Sequence, residues 1–179
     1  GVRLETASGS LRAKAAVVTV STTVLADHRI RFTPALPVPM QEACAALRLG
    51  VTEKIALRLS APIDAVGSRP FLSFMDDGTT GLAPVNCYVN PFGRPMLLAH
   101  TGGSYAREIH AGDGRAAIAY LTDVLVTCFG ADMRQRITGA CATNWAGDPY
   151  IGGGYSFLRP GNTDARARLA EPIGDRVFL

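Results

Sequence analysis

The chain has 179 residues, 47% of them hydrophobic, enough to build a substantial core as one large domain or parts of two, which excludes a disordered tail. Its net charge of +3 comes from arginines scattered among scattered acids, and no basic run interleaved with aromatics points to nucleic acid. No apolar stretch approaches the roughly 20 residues that span a bilayer, and the N-terminus carries no signal-peptide pattern, so the chain is expected to be soluble with no membrane partner.

In chain order, Val2, Leu4 and Thr6 alternate onto one face, and Ala7-Ser8-Gly9 turns the chain toward Leu11. A hairpin is predicted there, followed by a buried strand over the apolar run Ala15 to Val20. Ile30 to Phe32 reads as a short strand. Pro34, Pro37 and Pro39 then keep the chain extended until a helix starts near Met40, with Met40, Cys44 and Leu47 on one face and Gly50 as its stop. Val51 to Leu59 is the most legible strand: Glu53 shares a face with Val51, Ile55, Leu57 and Leu59, while Lys54 shares the other with Thr52, Ala56 and Arg58.

Turn formers dominate from about Ala61 to Gly81 around a short strand at Phe71 to Met75, and Asp76-Asp77 beside Gly78 reads as a solvated turn. Two more strands, Asn86 to Val89 and Pro95 to His100, are joined by a turn at Asn90-Pro91-Phe92-Gly93. Asp113 is a candidate N-cap for a helix to Phe129, with Ala117, Leu121, Val124, Leu125 and Cys128 inward and Gly130 as its end. Thr138 to Thr143 reads as extended, Asn144 to Gly161 fits no period, and Arg176 begins another strand. That strand meets the chain end, so the sequence is expected to be an internal piece of a longer protein. The sum is an α+β fold with a mixed, largely antiparallel sheet and flanking helices.

Cys44, Cys87, Cys128 and Cys141 form no CxxC pair and have no histidine at metal-ligand spacing, so no metal site is expected. Four reduced, mostly buried thiols fit a reducing, cytoplasmic setting. His28, His100 and His110 are far apart in sequence and read as structural. No GxSxG elbow, HExxH or Walker motif is present.

Three features stand out: a lysine inside an apolar strand, an aromatic and glycine cluster, and the strand ending Val18-Thr19-Val20-Ser21. Among 18 Lys and Arg only Lys14 and Lys54 are lysines, so Lys54 inside an apolar strand is not explained by composition. Either it snorkels to solvent, or a cofactor lines its face and desolvation makes its ammonium an exchangeable proton donor. The second feature runs from Asn144 to Phe157 and holds the sole Trp, Trp145, with Tyr150 and Tyr155, two of the five Tyr, around Gly152-Gly153-Gly154. Either this is a loop with Trp145 plugging the core, or the rings wall a pocket while the glycines let backbone approach a flat partner.

The order of four segments resembles the C-terminal half of the flavin-containing amine oxidases, the family of monoamine oxidases, polyamine oxidases and flavin-dependent demethylases. The segments are Val17 to Leu25, Arg29 to Pro37, Leu49 to Ile55, and Asn144 to Tyr155. The likeness continues through Ala170-Glu171-Pro172-Ile173-Gly174-Asp175-Arg176-Val177-Phe178. It implies residues 1–28 and 143–179 from the FAD-binding domain and residues 29–142 as the substrate-binding domain. It further implies that Lys54 is the active-site lysine holding a water near flavin N5, that Trp145 packs near the isoalloxazine ring, and that Thr19, Val20 and Ser21 touch the cofactor, Ser21 replacing a frequent proline.

On the same resemblance Tyr155 is a wall of the amine passage, with Tyr150 and Gly154 beside it. Gly154 stands where covalently flavinylated members have the linking cysteine, so FAD is expected to bind noncovalently. The implied reaction oxidises an amine to an imine with oxygen as acceptor and hydrogen peroxide as product. The chain alone, lacking the nucleotide loop and the terminal flavin segment, is expected to be inactive and to hold no FAD. Its expected partners are a small-molecule amine and the remainder of its own FAD-binding domain, with an oligomer left open. A desaturase-like or protoporphyrinogen-oxidase-like flavoenzyme, or a noncatalytic binding module, is the competing reading.

Overall fold

A computed structural model describes residues 1–67, 70–75 and 78–179. The chain opens with a hairpin in which β1 (Val2–Thr6) pairs antiparallel with β2 (Gly9–Ala13), Thr6 opposite Gly9. Next come β3 (Ala16–Val17), α1 (Thr22–Ala26), α2 (Val38–Ala46), β4 (Thr52–Leu59), β5 (Phe71–Phe74), β6 (Val85–Val89) and β7 (Met96–Gly102). The remaining elements are α3 (Gly103–Ile109), α4 (Arg115–Phe129), α5 (Met133–Arg136), β8 (Ile137–Ala142), α6 (Ala165–Leu169) and β9 (Val177–Phe178).

Gly1–Leu49 with Asp148–Leu179 pack as one compact unit, and Gly50–Gly147 as another. These bounds differ from the breaks after residues 28 and 142 that the sequence suggests. Residues 38–47 belong to the first unit because Ala43, Ala46 and Leu47 on and just beyond α2 close against Ala165 and Leu169 of α6.

The second unit is built on a five-stranded antiparallel sheet, ordered β5-β6-β7-β4-β8. Strict alternation along β4 sends Ile55, Leu57 and Leu59 inward with Glu53, as the pattern predicts, and leaves Lys54 and Arg58 on the open face. The inward residues meet Val85, Cys87, Val89, Leu97 and Ala99 from the neighbouring strands and Ala117, Leu121, Val124 and Leu125 from α4. Each fully buried aliphatic side chain there contributes about 1.5–3 kcal/mol, so β4 is a stiff central platform. Burial, with Cys128 nearby, pushes the Cys87 thiol up to about 12.

Several local expectations are corrected. The run at Ala15 to Val20 is not a buried strand: only Ala16–Val17 is extended, paired parallel with β9, and Val17 is 72% exposed. A β-branched run is buried only where a layer covers it. Ile30 to Phe32 forms no strand, and α2 ends at Ala46 with Leu47 as its C-cap, short of Gly50. Gly114 at φ 76, not Asp113, precedes α4, while Asp113 Oδ1 accepts from Arg115 N at 3.1 Å.

Cys128 is not inward. It and Cys141 are exposed, and only Cys44 and Cys87 are buried; all four are free. The Asp76-Asp77 turn lies outside the described residues. Among the described residues no helix is long and apolar enough to cross a membrane, and no cluster of His, Cys, Asp or Glu could hold a metal.

Candidate active site

Lys54 is the third residue of β4, an interior strand of the sheet, with a defined set of neighbours in the second unit. Its backbone is clamped by Thr143 just beyond β8: Lys54 N donates to Thr143 Oγ1 at 2.8 Å, and Thr143 N donates to Lys54 O at 2.9 Å. Across the sheet His100 is its register partner on β7, followed by Asn86 on β6. The His100 ring also meets Tyr88 edge-on at 5.9 Å, and Tyr88 meets Phe71 at 5.4 Å. A line of rings therefore crosses the open face toward Lys54. Burial, and then the Lys54 ammonium, hold the His100 imidazole below its ordinary 6.5, so it is mostly neutral at neutral pH.

His100 also lines a cavity of about 290 Å³ with Met75, Asn86, Thr101 and Tyr105. Arg58 lies four residues further along the strand on the open face and is engaged elsewhere, Nε donating to Thr138 Oγ1 at 3.1 Å and Nη2 to Thr138 O at 3.0 Å. No carboxylate among the described residues pairs with Lys54, which leaves its ammonium available to a ligand.

Beneath Lys54 lies a residue that sequence reasoning passed over. Glu53 is fully buried, and its carboxylate accepts from Thr143 Oγ1 at 2.6 Å, Trp145 N at 2.9 Å and Ala146 N at 2.8 Å. Trp145 thus sits in a turn fastened to the residue next to Lys54. Asn144 tightens the turn, its Oδ1 accepting from Gly147 N at 3.0 Å, and a Cβ at Gly147 would lie 2.5 Å from the Asn144 amide. Buried His110 braces the same point: Nδ1 donates to Thr143 O at 2.7 Å, and Nε2 meets Thr101 Oγ1 at 2.9 Å. The signal available in the sequence was a carboxylate on an otherwise apolar strand face, which must be paired when buried.

The other sequence candidates lie in the first unit. Thr19 is exposed and Val20 half-buried after β3. Ser21 is the N-cap of α1, its Oγ accepting from Val24 N at 3.2 Å and donating to Ile151 O at 2.6 Å. That bond ties the end of the β3 segment to the glycine-rich run. Gly152 follows at φ 76, where a Cβ would meet Thr23 Cγ2 at 2.9 Å. Tyr150 and Tyr155 are 83% and 73% exposed and Gly154 is half-buried. Lys54 and Trp145 are therefore brought together in one unit, and Ser21, Tyr150, Gly154 and Tyr155 in the other.

Lys54 and Trp145, both in the second unit, suit a flat, partly anionic cofactor such as FAD by chemistry. Trp145 is 41% exposed although its backbone is fixed, so its ring offers surface to a partner. The Lys54 ammonium is uncommitted among the described residues.

Comparison with known proteins gives a consistent result. The model of a family described as flavin containing amine oxidoreductase matches residues 1–179. The chain is 27% identical over 189 residues to Lysine-specific histone demethylase 1 homolog 1 of Oryza sativa subsp. japonica, covering all of this chain and 22% of that protein. It is 28% identical over 185 residues to Polyamine oxidase 4 of the same organism, covering 99% of this chain and 36% of that protein. The chain thus spans about a fifth to about a third of the length of these relatives. Among solved structures, cyclohexylamine oxidase from Brevibacterium oxydans IH-35A has a similar fold, with a TM-score of 0.69 at 22% identity over 98% of this chain and 38% of that one.

Proposed function

The chain belongs to the flavin containing amine oxidoreductase family, and from that premise we propose that it supplies the substrate-side part of an FAD-dependent enzyme that oxidises a small-molecule amine. The chemistry such a cofactor supplies when bound is oxidation of the amine to an imine, with oxygen as acceptor and hydrogen peroxide as product. Trp145, Thr19, Val20 and Ser21 hold the cofactor noncovalently, and Tyr150, Gly154 and Tyr155 border the amine's path. Residues 29–142 take the substrate role, and residues 1–28 with 143–179 the cofactor role. The relative named as a polyamine oxidase supports the amine class.

The observation that carries this reading is the Lys54 ammonium on an open sheet face, beside a ring line and a fixed but exposed tryptophan. A cation at that point disfavours a second one nearby, as it does, after burial, at His100. The same field favours the neutral amine, the form able to react. Lys54 also holds a water by its ammonium and can exchange a proton at Nζ, placing positive charge where negative charge develops. The exposed rings tolerate both the arriving cation and its neutral form. Free thiols at Cys44, Cys87, Cys128 and Cys141 suit work in the cytoplasm.

The test is a panel of primary, secondary and polyvalent amines added to the full-length FAD-loaded protein, with oxygen uptake and peroxide followed together. Stoichiometric peroxide on amine addition is expected. A flavoprotein that consumes oxygen with another reductant but with no amine would overturn the reading. The 179-residue chain alone is expected to retain no FAD, and stoichiometric retention would contradict that part.

A further inference from the structure

We infer that Glu53 is a positioning residue that sets the place of Trp145 relative to Lys54. Strand alternation turns Glu53 away from the open face on which the Lys54 side chain stands, so its carboxylate lies on the opposite face of the strand from the Lys54 ammonium. Its three bonds run instead to the backbone and hydroxyl groups that carry the candidate site. Successive amides of Trp145 and Ala146 point at the two carboxylate oxygens, one each, forming an anion cradle filled from within the protein. The third donor, Thr143 Oγ1, accepts in turn from Lys54 N. A single buried charge therefore joins the strand of Lys54 to the turn of Trp145 through charge-assisted bonds, which are the short and strong kind.

The three bonds demand an acceptor on both oxygens. In Glu53→Gln the amide nitrogen faces Trp145 N if it replaces Oε2 and Ala146 N if it replaces Oε1. Either flip sets donor against donor, so the turn must move. The shape of the side chain is kept, and only its accepting capacity changes. His110 and Thr101 do not compensate, since their bonds end on Thr143 O, on each other and on the Glu53 backbone carbonyl, none of them on the Glu53 carboxylate.

This inference rests on the amine oxidase reading for its effect on rate but not for its structural content, and the experiment separates the two. Backbone amide exchange at Trp145 and Ala146 is measured in the full-length FAD-loaded protein, as wild type and Glu53→Gln, beside the rate of anaerobic flavin reduction by an amine. Both amides are expected to be protected in wild type and to exchange freely in Glu53→Gln. Flavin reduction is expected to slow about 100-fold, the scale of a small misplacement of reacting groups. In a double-mutant cycle Glu53→Gln should add little to the loss already caused by Trp145→Phe, because both act on the same element.

Wild-type amides of Trp145 and Ala146 that exchange as fast as free turn amides would overturn the inference, as would strictly additive rate losses in the cycle. If Glu53→Gln does not fold, Thr143→Val removes one donor to the carboxylate, and with it the acceptor of Lys54 N, and should slow reduction less than loss of the cradle as a whole, with Trp145 and Ala146 still protected. Loss of protection in Glu53→Gln with no amine oxidation in wild type would sustain the positioning role and sink the functional reading instead.

Discussion

The Trp145 turn and the Tyr155 segment are only ten residues apart in sequence, yet they are held by different physics. The first hangs on a buried carboxylate at the heart of a five-stranded sheet, with three bonds to one anion and His110 bracing from behind. The second is irregular, fastened by the Ser21 hydroxyl and by a close approach of Gly152 to Thr23, and leaves its tyrosines in solvent. The difference teaches that the candidate residues of the second unit are pre-organised by that unit's own core. Those of the first unit stand on a surface, and among the described residues no ring contact orders Tyr150 or Tyr155.

The contrast can be broken most forcefully through the platform under Lys54. Leu57→Ala opens a cavity at a fully buried position between Leu97 and Ala140 in the ladder. It should lower the unfolding free energy by about 2–5 kcal/mol, read by urea denaturation, and it should release the Trp145 turn with the sheet. Next in size, Lys54→Met in the full-length enzyme should slow amine-dependent turnover about 100-fold while leaving the unfolding midpoint nearly unchanged. Unchanged flavin reduction and reoxidation would remove Lys54 from the site.

On the other side, Gly152→Ala places a Cβ at positive φ and against Thr23, costing about 1–2 kcal/mol. The loss should appear in the stability of the first unit without disturbing exchange at Trp145. Ser21→Ala removes the α1 cap and the tie to Ile151 together, for about 1 kcal/mol. A larger effect of either change on the Trp145 amide than on the first unit would erase the distinction.

The smallest effect is electrostatic. His100 is held below its ordinary value, first by burial and second by Lys54. The unfolded chain therefore takes up the proton first as pH falls through 6.5, and this residue's contribution to stability is lost there. Lys54→Met removes the second cause, so the His100 midpoint should rise by NMR titration while staying below the ordinary value, and the acid-side loss of stability should shrink.

Much of this was legible in the sequence where period and burial coincide. Alternation from Val51 to Leu59 gave both faces of β4, and the 3.6 period of Ala117, Leu121, Val124 and Leu125 gave the helix that covers it. The same period failed at Cys128, in the last turn of α4, whose side chain is exposed. The apolar run at Ala15 to Val20 misled because apolar character reports a tendency to be covered, not the presence of a cover.

Lys54 and Trp145 stood out by rarity, but the bond network joining them did not. It connects Glu53 to residues about ninety positions away, and only the pairing of β4 with β8 brings them together. Glu53 was visible as a charge on an apolar face, which says that a partner is required and leaves its identity to the fold. The short helices α1, α3, α5 and α6 were missed because, at 4 to 7 residues, they show less than two turns of any period.

The most direct test of the central claim is anaerobic mixing of the full-length FAD-loaded protein with amines while its visible flavin absorbance is recorded. The account predicts that an amine bleaches the flavin, that oxygen restores it with release of peroxide, and that Lys54→Met slows the cycle. A flavin that dithionite bleaches but no amine reduces would contradict it.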